Sequence, residues 1–63
     1  SNFIDDLFSE CKKMDAKGVK WMMSQADTLE IREKFKEYKI VKYKIYRFFL
    51  KDYKTELLIK NYP

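Results

Sequence analysis

Lys17-Gly18-Val19-Lys20-Trp21-Met22-Met23-Ser24-Gln25 is the stretch on which the reading of this chain turns. A basic segment runs into Gly18, the one glycine present. A short apolar run follows from Val19 to Met23 and ends on two polar side chains, Ser24 and Gln25. Helix, buried strand, polar strand end and a second helix in that order make half of a parallel α/β unit. Ligands gather beyond the carboxyl ends of strands in open α/β sheets, so Ser24 and Gln25 are the first candidates for a site. The alternative is that they are loop polars closing a strand.

On the amino-terminal side, Phe3, Ile4, Leu7, Phe8, Cys11 and Met14 recur at helical spacing and predict a helix over about 3–16. Asp5 and Asp6 favour its positive end, and Lys12 and Lys13 its negative end. Gly18 suits the left-handed position just past it. Ser1 and Asn2 carry little weight. The strand is expected over 19–24, with Val19, Trp21 and Met23 on one face and Lys20, Met22 and Ser24 on the other. Apolar residues on both faces suit a strand covered on both sides.

On the carboxyl-terminal side, Asp27 and Glu30 have the spacing of a capping box, with Thr28 as the alternative cap. Leu29, Ile31, Phe35 and Tyr38 are the expected buried face of a helix ending near Tyr38 or Lys39, supported by a Glu30–Lys34 pair. From Ile40 the period changes to two: Val41, Tyr43, Ile45, Arg47 and Phe49 share one face, and Lys42, Lys44, Tyr46 and Phe48 the other. Residues 50–54 are polar enough for a hairpin connection, and 55–62 form the last strand. The expected architecture is α/β in the order α-β-α-β-β. It holds a three-stranded mixed sheet of order 1-3-2, with the last strand antiparallel and central.

Composition narrows the function classes. Sixty-three residues allow one domain at most, and a chain this short is marginal without a staple or partner. One cysteine and no histidine exclude an internal disulfide, a Cys/His zinc site and a histidine-based hydrolase triad. Cys11 reads as a core residue from a reducing compartment, the alternative being a reactive thiol. Asp5, Asp6 and Asp15 read as dipole and solubility charges rather than catalytic carboxylates, and Met14, Met22 and Met23 as core filling. No apolar run approaches the length of a membrane span.

The net charge of +4 is uneven. Residues 1–31 carry four Lys/Arg and six Asp/Glu; residues 32–63 carry ten and four, together with all five tyrosines. A basic, aromatic-rich half suits a polyanion such as nucleic acid. Equally, lysines solvate a surface or blunt an edge strand. Strand 19–24 is expected at the sheet edge, yet it carries a single charge, Lys20. It reads as a strand whose neighbour belongs to a larger sheet, or as one closed by self-association.

Lys-Gly-Val-Lys-Trp-Met-Met-Ser, a capped helix, the strand from Ile40 to Arg47 and the closing Glu56-Leu57-Leu58-Ile59-Lys60-Asn61-Tyr62 resemble, in that order, the C-terminal end of the DNA adenine methylase family. The likeness spans about residues 17–62. It implies the terminal strands of a methyltransferase sheet, in which the reversed last strand is inserted between its neighbours. The parent activity implied is transfer of a methyl group from S-adenosylmethionine to adenine N6 of DNA. The resemblance places Ser24 beside the target-base pocket, matches Arg47 to an arginine of the penultimate strand, and makes Tyr46 a candidate for stacking on a base. Gln25 departs from the more usual Asn. For Arg47 the alternative is an ion pair across the hairpin, for example to Glu56.

The catalytic Asp-Pro-Pro-Tyr type motif and the glycine-rich Phe-x-Gly-x-Gly loop are absent from these residues. This chain is therefore expected to bind no cofactor by itself. Three expectations follow: a C-terminal portion of a DNA adenine methyltransferase, inactive alone; a small basic module that binds nucleic acid; or a docking element that dimerises or associates through strand 19–24.

Overall fold

The computed structural model describes residues 2–63. Five elements follow one another: α1 (Phe3–Ala16), β1 (Met22–Ala26), α2 (Leu29–Lys34), β2 (Lys39–Arg47) and β3 (Asp52–Lys60). Asn2 starts α1, its Oδ1 accepting the Asp5 N–H at 2.8 Å, which satisfies a donor the helix leaves free. Gly18 ends α1. Its φ of +72° lets the Gly18 N–H reach the Asp15 carbonyl and the Val19 N–H reach that of Met14, both at 3.0 Å. This double closure is the one glycine favours at a helix end.

The strand order is β1-β3-β2, as the sequence predicts. β3 is central and antiparallel to both neighbours: Met22 to Ala26 lie opposite Lys60 to Glu56, and Lys39 to Arg47 opposite Lys60 to Asp52. β1 and β2 run in one direction but do not touch, and both ladders are antiparallel, so the sheet is antiparallel rather than mixed.

Both helices pack on the same face. The buried core is Cys11 of α1, Trp21, Ile31 of α2, Phe35, and Leu57 and Ile59 of β3, flanked by Ile4, Leu7, Phe8, Met14, Met23, Tyr38 and Ile40. Phe8 meets Phe35 edge-on at 5.4 Å between ring centres, and Trp21 meets Tyr38 at 4.9 Å. Burying Phe35, Leu57 and Ile59 fully contributes about 1.5–3 kcal/mol each. The register puts Met22, Ser24 and Ala26, Leu58 and Glu56, and Val41, Tyr43 and Ile45 on the opposite face, which no helix covers. Met22, Val41 and Ile45 are accordingly 53%, 40% and 43% exposed there.

Several boundaries differ from the sequence reading. β1 starts at Met22, not Val19, because the Val19 N–H is spent on closing α1 and the Trp21 N–H goes to the Asn61 side chain. Thr28, not Asp27, caps α2, accepting the Ile31 N–H at 3.2 Å. Asp27 grips Arg32 instead. α2 stops at Lys34, and the chain bends so that the Tyr38 N–H closes a turn on the Phe35 carbonyl. Leu29, expected in the core, is 74% exposed. Lys34 reaches Asp5 on α1 at 2.9 Å rather than Glu30, which ties the two helices together. The hairpin turn is Phe48–Lys51, not 50–54. Phe48 and Phe49 looked like strand residues, but the ladder closes at Arg47 opposite Asp52 and Lys51 takes φ +52°.

Candidate functional site

Ser24 and Gln25 lie within β1, one residue short of its carboxyl end, and so point to opposite faces of the sheet. Ser24 is on the open face, where its hydroxyl shares a 3.0 Å hydrogen bond with the hydroxyl of Tyr43 on β2, across the central strand. Gln25 is on the helix-bearing face and makes a long 3.6 Å contact from Nε2 to the Met23 sulfur. The two residues quoted together in the sequence therefore do not act on one point.

Tyr46 and Arg47 stand at the far end of the hairpin. Ser24 is level with Val41, so Tyr46 lies five residues, about 17 Å, further along the sheet. The fold does not gather the four candidates into one site. Arg47 forms a two-pronged ion pair with Asp52, at 2.7 Å from Nε and 2.6 Å from Nη2. An ion pair across the hairpin is thus present, but with Asp52; Glu56 instead takes Lys54 at 3.0 Å. The paired guanidinium pulls the Asp52 carboxyl below its ordinary pKa. Tyr46 sits directly across from Tyr53, the rings meeting edge-on at 5.1 Å.

The densest polar cluster lies elsewhere. Asp15, near the end of α1, accepts from Trp21 Nε1 and Asn61 Nδ2 at Oδ1, both at 2.8 Å, and from the Tyr38 hydroxyl at Oδ2. Asn61 also donates from Nδ2 to the Val19 carbonyl at 2.8 Å and accepts the Trp21 N–H at 2.9 Å. Donation from Tyr38, then from Trp21, holds the Asp15 carboxyl below its ordinary pKa. Burial, then the same bond, raises the Tyr38 phenol. Asp15 is thus a structural acceptor, not the free surface charge its sequence context suggested. The cluster joins α1, the loop before β1, the bend after α2 and the chain's last residues. Nearby, a shallow depression of about 360 Å³ is lined by Glu37, Lys39, Lys60, Asn61, Tyr62 and Pro63. It lies at the opposite end of the sheet from the carboxyl end of β1.

Sequence reasoning missed Asp15, Asn61 and Tyr43. Asp15 and Asn61 are 46 positions apart, and no local pattern connects them. Burial pushes the Cys11 thiol up, which fits a core residue rather than a nucleophile. Among the described residues no group of three His, Cys, Asp or Glu could hold a metal, and no helix is long and apolar enough to cross a membrane. Gly18, the one glycine, closes α1, so no glycine-rich loop is formed among the described residues. No protein family, curated protein or solved structure matches the chain.

Proposed function

We propose that this chain is the C-terminal portion of a DNA adenine-N6 methyltransferase, and that it is inactive alone. The observation that carries the reading is the strand order β1-β3-β2 with the closing strand reversed and central, the arrangement the resemblance implies. The uncovered face with Met22, Val41 and Ile45 and the unpaired edge of β1 support it as well, since both are surfaces that a larger sheet with helices on two sides would bury. DNA is the partner of the whole enzyme, and S-adenosylmethionine is its cofactor, the latter bound by residues outside this chain. The same reading, with its free buried cysteine, puts the chain in the cytoplasm. The test is to read the coding frame upstream for an Asp-Pro-Pro-Tyr type motif and a Phe-x-Gly-x-Gly loop, and to assay tritiated methyl transfer to adenine in DNA. An upstream sequence without either motif refutes the reading, and turnover by the isolated chain refutes its inactivity.

A second reading is a docking element that dimerises, or joins a partner, through the β1 edge. The exposed Met22 on that edge strand favours it. Sedimentation of the isolated chain as a strict monomer at high concentration counts against it.

A further inference from the structure

β1 pairs with β3 only over residues 56–60, whereas β2 and β3 pair over nine residues each. Residues 44–55 therefore project as a two-stranded arm past the edge of β1. On the helix-bearing side of this arm, cross-strand register places Lys44 opposite Thr55 and Tyr46 opposite Tyr53. Lys42 precedes them along the same stripe. At the tip, Phe48 and Phe49 meet edge-on at 5.6 Å, and Phe49 is 94% exposed. Tyr53 is 67% exposed. Tyr46 and Tyr53 brace the hairpin through their edge-on contact, yet both remain open to solvent, far from the core at the other end of the sheet.

The cations decide the partner. Lys42 is 4.0 Å from Asp27, while Lys44 and Lys51 make no ion pair among the described residues. A basic, ring-bearing stripe about four residues, or ~13 Å, long runs along the strands rather than sitting only at the tip. A lipid surface would take the apolar tip of Phe48, Phe49 and Leu50 with a basic collar, whereas Lys42, Lys44, Tyr46 and Tyr53 are strung along the strands below that tip. An unpaired nucleic acid strand uses both parts: every base has a face to stack on a ring, and its phosphates follow the lysines. Phe and Tyr rings stack on bases without regard to sequence.

We propose that the projecting half of the β2–β3 hairpin is a stacking platform for unpaired bases. In this assignment Tyr53 and Tyr46 carry the bases, and Lys44 and Lys51 contact the flanking phosphates. The assignment takes its partner class from the reading above but fails separately from it. A catalytic motif upstream would leave the methyltransferase reading standing even if the arm bound nothing.

The experiment measures fluorescence anisotropy of the 63-residue chain with a labelled oligo-dT of about ten nucleotides, a length within the range single-strand binders cover. The comparison arms are a duplex of equal length and vesicles of phosphatidylserine and phosphatidylcholine. Tyr53→Ala and Tyr46→Ala should each weaken oligo-dT binding by about 5- to 150-fold, the effect of losing one stacked base. Tyr53→Phe, which keeps the ring, should bind as the parent does. Lys44→Gln should lower the slope of log affinity against log salt by about 0.7. All three positions are exposed, so the variants should stay folded, and Trp21 emission should not move. The proposal is overturned if oligo-dT does not bind at low salt, or if duplex binds as tightly as the single strand. It is also overturned if vesicles bind and oligo-dT does not, or if the tyrosine variants bind as the parent does while Lys44→Gln alone weakens.

Discussion

Asn61→Ala should unlatch the end of the chain from the rest of the fold. The Asn61 side chain accepts the Trp21 N–H at 2.9 Å and donates to the Val19 carbonyl at 2.8 Å, besides donating to Asp15. The two neutral bonds contribute about 1 kcal/mol each, so their loss costs ~2 kcal/mol, and less where water reaches the freed groups. A domain of this size gains about 0.13 kcal/mol per degree in unfolding entropy, so the loss lowers the melting temperature by roughly 8–15 °C. The same cut frees the residues after β3 to fray, since chain ends stay ordered only when tied down. Trp21 is the single tryptophan and is buried, which makes it a local reporter. Thermal melting by circular dichroism gives the stability, and emission of Trp21 at low temperature gives the local effect, expected as a red shift. Asn61→Asp separates geometry from charge. It places a second carboxylate against Asp15, so its deficit should exceed that of Asn61→Ala at neutral pH and shrink in acid. A parent-like melting temperature and Trp21 spectrum in Asn61→Ala would refute the argument.

Other consequences are simpler. Phe35→Ala removes a fully buried ring that meets Phe8 and Tyr38, at a cost of about 3–5 kcal/mol. A chain of this length has about 3–9 kcal/mol in total, so the variant should be largely unfolded by circular dichroism at 37 °C. The Asp15 carboxyl is held below its ordinary pKa in the fold, so its contribution is complete above the unfolded value of about 3.9 and is lost as pH falls through the lower folded value. Melting temperature plotted against pH should therefore fall more shallowly below about pH 4 in Asp15→Asn than in the parent. Asp27 and Asp52 titrate in the same direction and will keep part of the slope. Gly18→Ala meets no atom within 4 Å, so its cost is the strain of φ +72° alone, about 1 kcal/mol, and Gly18→Asn should cost less.

Periodicity made the architecture legible. The stripe from Ile4 to Met14, the switch to period two at Ile40 and the single glycine at a helix end gave α1 to the residue and the strand order without coordinates. The errors cluster where a specific hydrogen bond, local or distant, outweighs a residue's own preference. Val19 and Trp21 look like strand residues, but their N–H groups are taken by Met14 and Asn61. Phe48 and Phe49 look buried by composition, yet the Arg47–Asp52 pair closes the ladder before them. The site was less legible than the fold. Neighbours in sequence on a strand face opposite ways, so Ser24 and Gln25 part company, and the 3.0 Å link from Ser24 to Tyr43 depends on register across a strand that is remote in sequence.

The two faces of β2 are covered in the opposite sense to their composition. Its apolar positions, Val41, Tyr43 and Ile45, would be the buried face by composition, and Lys42, Lys44 and Tyr46 the wet one. In the fold both helices lie on the side of Lys42 and Lys44, where Ile40 alone of β2 joins the core. The side of a sheet on which a connecting helix lies is set by the connection between its strands, not by which face is greasier. Where the two disagree, the apolar face is left for another layer. On that face Leu58 of the central strand lies between Ser24 of β1 and Val41 of β2, with Lys60 and Glu56 on either side of it along β3. In the larger sheet proposed above, the uncovered edge of β1 and the uncovered open face have one remedy. A neighbouring strand with its own covering helix would remove both together, which a partner docking on the edge alone would not.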